Sequence, residues 1–416
     1  MRILLLNAYF KPEQIAFTHL EEDILDAFVS EKFKIDVVTP IPTRGIDDAV
    51  RKEYAGKREE TLYDGAVNVH RFWAPQEGKS PIIRALRYFW CNFREYQIGK
   101  KYRDTDVIFC ASTPPTQGWM ASLIKKSIRK HGNRHVRYVY NLQDIFPDSM
   151  VNAGMTKKGS LLWKIGRKIE DRTYRSADRI ITISDDFRDN ILKKGVDGNK
   201  VIVIPNWVDS DAVIPVLRES NKLFEKYNLD KSKFYICYSG NIGHSQNIPL
   251  LVEAAIRISD LLSDVAFVVI GEGAAKPEME RLIHDNKIEN IFVLPFQHSS
   301  DISCVYSIGD ADLIISKKGI GSSSVPSKTW NIMSAGRPLL ASFDSESELG
   351  KLIRKANCGI VVEPDDIDGL ISAIKELYEN KDVRYLMGKN GRDFVRRFRD
   401  KNACTKEYVR AITMQS

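Results

Sequence analysis

Short apolar runs alternate with helix-patterned segments along the whole chain, in two successive series. A run that is apolar at consecutive positions, and too short for a self-sufficient helix, reads as a strand covered on both faces. Such strands belong to parallel sheets whose crossovers are helices. The first series is Ile3 to Asn7, Ile35 to Thr39, Val67 to Phe72, Val107 to Cys110, Arg137 to Asn141, Arg179 to Ser184 and Val201 to Ile204. The second is Phe234 to Ser239, Ala266 to Ile270, Ile291 to Leu294, Leu313 to Ser316, Pro338 to Ser342 and Gly359 to Val362. Helices are expected between them, among others at Ala16 to Val29, Leu161 to Tyr174, Pro249 to Leu262, Lys276 to Asn286 and Ile367 to Glu379. A chain of 416 residues exceeds what one core serves, so each series is expected to form its own α/β domain, with the join between Pro205 and Arg218. In doubly wound sheets, ligands bind beyond the carboxyl ends of the strands.

Four segments fall at such ends in the second series. Ser239-Gly240-Asn241-Ile242-Gly243 follows its first strand, Gly271-Glu272-Gly273 its second and Pro295-Phe296-Gln297 its third. The fourth is a predicted helix from Pro326 to Ala335, approached through Gly319, Gly321 and the serines at 322 to 324. Ser327 is placed to cap its first turn, and Lys328 adds a full positive charge to the free N–H groups there. Together these suit a diphosphate. The glycines let a ligand approach the backbone, and Phe296 beside backbone amides suits a nucleobase.

Other chemistries are excluded by the same segments. The first strand is followed by Asn7-Ala8-Tyr9-Phe10, without the glycines of a dinucleotide-binding turn, and Gly271-Glu272-Gly273-Ala274-Ala275-Lys276 lacks both the third glycine and a phosphate-loop ending. Six scattered cysteines show no metal-ligand spacing and read as reduced, buried thiols of a cytoplasmic protein; no metal is expected. No apolar run approaches the length of a membrane span. The N-terminal run leads into Asn7 and reads as a first strand, not a secretion leader.

The net charge of +7 sits in one half. Residues 1–210 carry 35 Lys+Arg against 27 Asp+Glu, whereas residues 211–416 carry 27 against 28. From Ile82 to Lys101, a helical arc of Ile82, Ile83, Leu86, Phe89, Trp90 and Phe93 is flanked by Arg87, Arg94 and Lys101. That pattern fits either an anionic membrane surface or packing onto the domain. Nucleic acid is not expected, since the basic segment contains no recognised binding motif.

Motifs along nearly the full length resemble the family 4 glycosyltransferases of the GT-B fold. In the first half they are Tyr9-Phe10-Lys11-Pro12, Asp144-Ile145-Phe146-Pro147-Asp148-Ser149, Ala177 to Ser184 and Ile204-Pro205-Asn206-Trp207-Val208-Asp209. In the second they are Ile270-Gly271-Glu272-Gly273, Pro326-Ser327-Lys328 and Ala335-Gly336-Arg337-Pro338. The nearest subgroup looks like the bacterial enzymes of colanic acid, capsule and O-antigen assembly, including an L-fucosamine-transferase-like branch.

The resemblance implies two Rossmann-like parallel-sheet domains facing across a cleft. Residues 1–207 would bind the acceptor and be joined by a C-terminal helix at about 396–416; residues 208–395 would bind the nucleotide-sugar. It further implies a retaining transferase that moves a sugar, such as an N-acetylated deoxy sugar, from a UDP-linked donor to an acceptor on undecaprenyl diphosphate. No cofactor or metal is implied, and the place of action would be the inner face of the plasma membrane. Lys328 and Asp144 would be catalytic, and Gly240, Asn241, Gly243, Gly271, Gly273, Phe296, Gln297, Ser327 and Asn331 would join Lys328 around the donor. Arg84, Arg87, Trp90, Arg94 and Lys101 would face the acceptor and membrane.

The family pattern is also broken. Its phosphate-binding Arg and Lys are replaced by Asn241 and by Gln246 or Asn247, and its pair of glutamates by Ser323 and Asn331. Two alternatives therefore stand beside transfer: a nucleotide-sugar 2-epimerase of the same fold, and a catalytically inactive nucleotide-sugar-binding scaffold.

Overall fold

The computed structural model describes residues 1–13, 17–76, 81–152, 155–319 and 325–414, with the side chains of Pro81, Ile82, Arg84 and Asn152 left aside. Contacts divide the chain into two compact units, Met1–Pro205 with Cys404–Ser416, and Asn206–Ala403.

The first unit holds β1 (Arg2–Leu6), β2 (Lys34–Pro40), β3 (Glu59–Leu62), β4 (Val67–Phe72), β5 (Val107–Ala111), β6 (Arg137–Leu142), β7 (Arg179–Thr182) and β8 (Val201–Val203). They form one sheet in the order β3-β4-β2-β1-β5-β6-β7-β8. All neighbours are parallel except β3, which runs antiparallel along β4. Its helices are α1 (Thr18–Ser30), α2 (Asp48–Tyr54), α3 (Pro81–Gly99), α4 (Gln117–His131), α5 (Asp148–Asn152), α6 (Leu161–Ser176) and α7 (Asp185–Lys193). Serines start two of them: Ser160 accepts from the Trp163 amide at the head of α6, and Ser184 from the Phe187 amide at the head of α7. Edge strand β3 escapes a hydropathy pattern because its Glu-Glu-Thr-Leu sequence has one mostly solvated face.

The second unit begins with α8 (Lys222–Lys226) and a six-stranded sheet of β9 (Phe234–Ser239), β10 (Val265–Ile270), β11 (Ile291–Leu294), β12 (Ala311–Ile315), β13 (Leu339–Ser342) and β14 (Gly359–Val362). The order is β11-β10-β9-β12-β13-β14, parallel throughout. The helices α9 (Ile248–Ser259), α10 (Lys276–Asp285), α11 (Ile302–Val305), α12 (Lys328–Ser334), α13 (Glu348–Ala356), α14 (Ile367–Glu379) and α15 (Lys381–Phe398) complete it. Separate apolar clusters line the two faces of this sheet, Tyr235, Cys237 and Ile314 on one and Ile236, Tyr238 and Leu313 on the other. Double-sided coverage of this kind is why its strands read as continuous apolar runs.

The chain then returns to the first unit. In α16 (Lys401–Thr413), Tyr408 is fully buried, meets the Phe109 ring with centroids 6.2 Å apart and donates its hydroxyl to Asn141 Oδ1 at 3.1 Å.

Candidate functional site

In the second unit, the switch in strand order falls between β9 and its neighbours β10 and β12, and the segments expected to hold a donor meet at the carboxyl ends of these strands. Backbone bonds tie the first two loops together: Gly240 N–H donates to the Ile270 carbonyl, Ile242 N–H to the Glu272 carbonyl and Ala275 N–H to the Ile242 carbonyl, each at 2.9 Å. The approach requires glycine. A β-carbon on Gly271 would lie 1.9 Å from the Gly240 carbonyl oxygen, and one on Gly273 would lie 2.2 Å from that of Ile242. The Gly243 amide is satisfied by Gln246 Oε1 at 3.1 Å, and Asn241 is exposed above it with its carbonyl accepting from the Tyr238 hydroxyl at 2.6 Å.

Lys328, at the first position of α12, reaches over this platform. Its Nζ stands 3.7 Å from the centroid of the Tyr238 ring and 3.7 Å from where a β-carbon on Gly240 would be. A cation over an aromatic face is held electrostatically without being neutralised. The residue is half-buried, and the low-polarity surroundings of its amine push the ammonium down to about 7, against the pull of Asp312 and Cys237. One turn along α12, half-buried Asn331 lies near the Tyr306 hydroxyl, as does Ser239 at the end of β9, and both act against the burial that pushes that phenol up. Asn331 is thereby brought to the same strand end as Lys328.

Asp312 has no counterpart in the motif-based expectation. It lies on β12 opposite Cys237 of β9, is 1% exposed, and neither carboxyl oxygen has a hydrogen-bond partner among the described residues. Burial pushes it up to about 8, with Arg337 and Lys328 acting in the other direction. A lone carboxylate in the apolar strand Ala-Asp-Leu-Ile-Ile is the signal that marks it in the sequence, since an acid in such a run is rarely left without a charged neighbour.

Three expectations need correction. Ser327 precedes α12 in helical conformation and its side chain makes no capping bond, so it does not close the first turn. Helix α12 spans only seven residues, which makes its dipole minor beside the Lys328 charge. Gln297 is turned inward: its Oε1 accepts from Lys226 Nζ and from the Tyr227 hydroxyl, both at 3.1 Å, leaving the third loop to present Phe296, which is exposed. The approach residues Gly321, Ser322, Ser323 and Ser324 lie outside the described residues.

In the first unit, Asp144 and Asp148 follow β6. Asp144 is exposed, its amide donating to Ser112 Oγ at 3.3 Å. Asp148 is instead paired with Lys194 at 2.7 Å; burial alone would raise its carboxyl, but the Lys194 bond and charge hold it below the ordinary range. Arg87 was expected on the basic rim and is buried, 2% exposed, with NH2 donating to Thr43 Oγ1 at 3.1 Å and NH1 to the Pro75 carbonyl. A carbonyl and a hydroxyl from two other loops replace solvent around its guanidinium. Trp90 is half-buried against Trp73, while Arg94 and Lys101 line a recess of about 430 Å³ with His70, Ile98 and Tyr102. The Arg84 side chain lies outside the described atoms.

Residues 22–207 match the family described as glycosyl transferase 4-like domain, and residues 219–394 match glycosyl transferases group 1. The chain is thus a glycosyltransferase, of GT-B fold, with one such domain in each half. It is 25% identical to the putative colanic acid biosynthesis glycosyl transferase WcaI of Escherichia coli, over 99% of this chain and 100% of that protein. It is 26% identical to the probable glycosyltransferase WbjE of Pseudomonas aeruginosa, over 76% of this chain and 77% of that one. Among solved structures, Anabaena HepE in complex with UDP superposes with a TM-score of 0.72 at 14% identity, covering all of both chains. WaaG, a glycosyltransferase involved in lipopolysaccharide biosynthesis, does so at 0.68 and 14%, covering 99% of this chain and 100% of that chain. These relatives support a role in bacterial polysaccharide biosynthesis and do not favour the epimerase or the inactive scaffold.

Proposed function

We propose that this glycosyltransferase moves an N-acetylated deoxy sugar from a UDP-linked donor to a lipid-linked oligosaccharide, with retention at the anomeric carbon, on the inner face of the plasma membrane. The observation that carries the donor half is the Lys328 amine standing over Tyr238, against the glycine platform of Gly240, Gly271 and Gly273. A diphosphate laid on that platform meets the ammonium at its reacting end, and Asn331 serves the ribose hydroxyls. As the bond from the anomeric carbon to the diphosphate breaks, Lys328 offsets the charge that develops on the leaving oxygens. The acceptor oxygen bonds to the same face, and its proton passes to a diphosphate oxygen, with no protein nucleophile and no metal. Asp144 orients the hydroxyls of the sugars.

The lipid-linked acceptor draws support from a relative 23% identical over 52% of this chain, the UDP-Gal:alpha-D-GlcNAc-diphosphoundecaprenol alpha-1,3-galactosyltransferase of Escherichia coli. The test is a panel of UDP- and GDP-sugars offered with undecaprenyl diphosphate-linked acceptors, with the product anomer read by NMR. Turnover with a UDP-sugar and a retained anomer are expected; tight nucleotide binding without turnover from any donor overturns the proposal.

The depressed Lys328 amine adds a pH dependence. Bound diphosphate favours the charged form, so the amine titrates higher in the complex than its value of about 7 in the empty site. Between those two values binding requires proton uptake, and UDP affinity should fall as pH rises above 7, approaching roughly tenfold per pH unit. Calorimetry in buffers of different ionisation enthalpy reads the proton directly. Lys328→Arg, charged throughout, should remove that uptake.

A further inference from the structure

The sheet of the first unit carries α3, α4 and α6 in one layer, with α4 packed against both neighbours. Each helix joins two parallel strands, so all three begin at the carboxyl edge of the sheet. At that edge the two outer helices expose what a folded domain normally covers. On α3, Ile83, Leu86, Phe89 and Phe93 are all exposed, Phe89 to 75% and Leu86 to 64%. On α6, the first turns expose Leu161, to 76%, with Leu162 and Ile165. Between them α4 presents Trp119 and Met120, half-buried. The α3 arc is thus not core: Arg87, Cys91 and Ile98 form the buried side of that helix, and the apolar arc is the outward one.

The charge pattern around both patches has one sign. Residues 149–169, which lead into and form the first half of α6, contain five basic residues and no acidic one. Residues 78–103 contain seven basic residues, of which Arg87 is buried, and their one acid, Glu95, is buried against Gln117. Lys157, Lys158, Lys164 and Lys168 are exposed around the α6 patch. Toward the carboxyl end of α3, Arg94 and Lys101 line a recess with His70, Ile98 and Tyr102. Trp73, itself exposed, and Trp90 pack edge to face with ring centroids 5.9 Å apart beside Phe93, with Trp90 Nε1–H donating to the Trp73 carbonyl at 2.8 Å. Indoles next to exposed aliphatics and lysines are the composition of a bilayer interface.

We infer that this glycosyltransferase docks on an anionic bilayer through two feet, the first three turns of α3 and the first turn of α6, whose apolar side chains enter the interface while the flanking lysines and arginines meet lipid phosphates. The inference deepens the proposed lipid-linked acceptor by naming the surface that brings the first unit to it, and it rests on that reading. Two separated apolar feet in one layer, the α6 foot among exposed lysines and the α3 helix carrying Arg94 and Lys101 farther along, fit an extended anionic plane better than a peptide groove.

The test is co-sedimentation of the full chain with vesicles containing phosphatidylglycerol and with vesicles of phosphatidylcholine alone. Binding only to the former, weakened by raising salt, is expected. Phe89→Ser and Leu161→Ser should each lower the partition coefficient about tenfold, from the loss of one inserted side chain, whereas Leu261→Ser, at an exposed leucine of the second unit, should not. Inorganic phosphate at matching concentration should not displace the protein. Equal binding to both vesicles, no binding to either, or no effect of Leu161→Ser overturns the two-footed surface. Concentration-dependent self-association abolished by Phe89→Ser, without vesicle binding, would assign the arc to a second copy and also overturn it. Transfer to a water-soluble acceptor analogue separates the two claims: turnover there without vesicle binding removes only the surface, and vesicle binding without turnover removes only the transfer reaction.

Discussion

Lys328→Ala is expected to lower kcat/KM for the sugar donor by about 100- to 1000-fold, the range lost when one fixed donor to a developing anion is removed. The amine stands 3.7 Å from where a β-carbon on Gly240 would be, and the arginine and lysine of the resembled family's pattern are here Asn241 and Gln246 or Asn247. On the proposed reading, much of the diphosphate's neutralisation falls to this amine. The variant should fold, because deleting an ammonium from low-polarity surroundings relieves a desolvation cost. Melting temperature within a few degrees of the parent, together with the kinetic loss, would locate the effect at the site. Unchanged transfer kinetics would remove Lys328 from it.

Gly271→Ala should injure both stability and donor binding. The new methyl would fall 1.9 Å from the Gly240 carbonyl oxygen, an atom of the backbone that cannot rotate away. The two loops must part, stretching the 2.9 Å bond from Gly240 N–H to the Ile270 carbonyl. Overpacking of this kind costs about 1 to 3 kcal/mol, which corresponds to a melting point lower by roughly 2 to 10 °C in a unit of this size. Separation of the loops also moves the surface proposed for the diphosphate, so UDP affinity measured by calorimetry should fall in the same variant. Gly56→Ala, where nothing stands within 4 Å, is the control and should leave both quantities near the parent. Parent-like UDP affinity in Gly271→Ala would mean that the platform is not where the nucleotide sits.

The strands of both sheets were legible in the sequence because side chains on both faces are buried. Val265–Ile270 is apolar at every position, and every one of its residues is buried. Strand β3 was not, since Glu59 and Glu60 at a sheet edge look like any solvated segment. Arg87 shows the converse limit: spacing placed it at the rim of an exposed arc, yet carbonyl and hydroxyl acceptors from two other loops drew it inside. Helical periodicity reports direction and says nothing of partners supplied from distant sequence. That Lys328, Asn331 and the glycines meet at one strand edge could be expected because their surroundings are local loops. Asp312 and the meeting of Asn331 and Ser239 near Tyr306 depend on strand order, which no local pattern encodes. Gln297 illustrates the same point, its amide spent on Tyr227 and Lys226 from a helix some seventy positions earlier.

The return of α16 to the first unit has a bearing on biosynthesis. Tyr408 fills space beside Phe109 and closes a bond to Asn141, but the ribosome reaches it only after all of residues 206–403 have been made. The amino-terminal half must therefore wait, with that part of its interior open, while its successor is translated. A chaperone that engages nascent chains would meet its longest-lived target there.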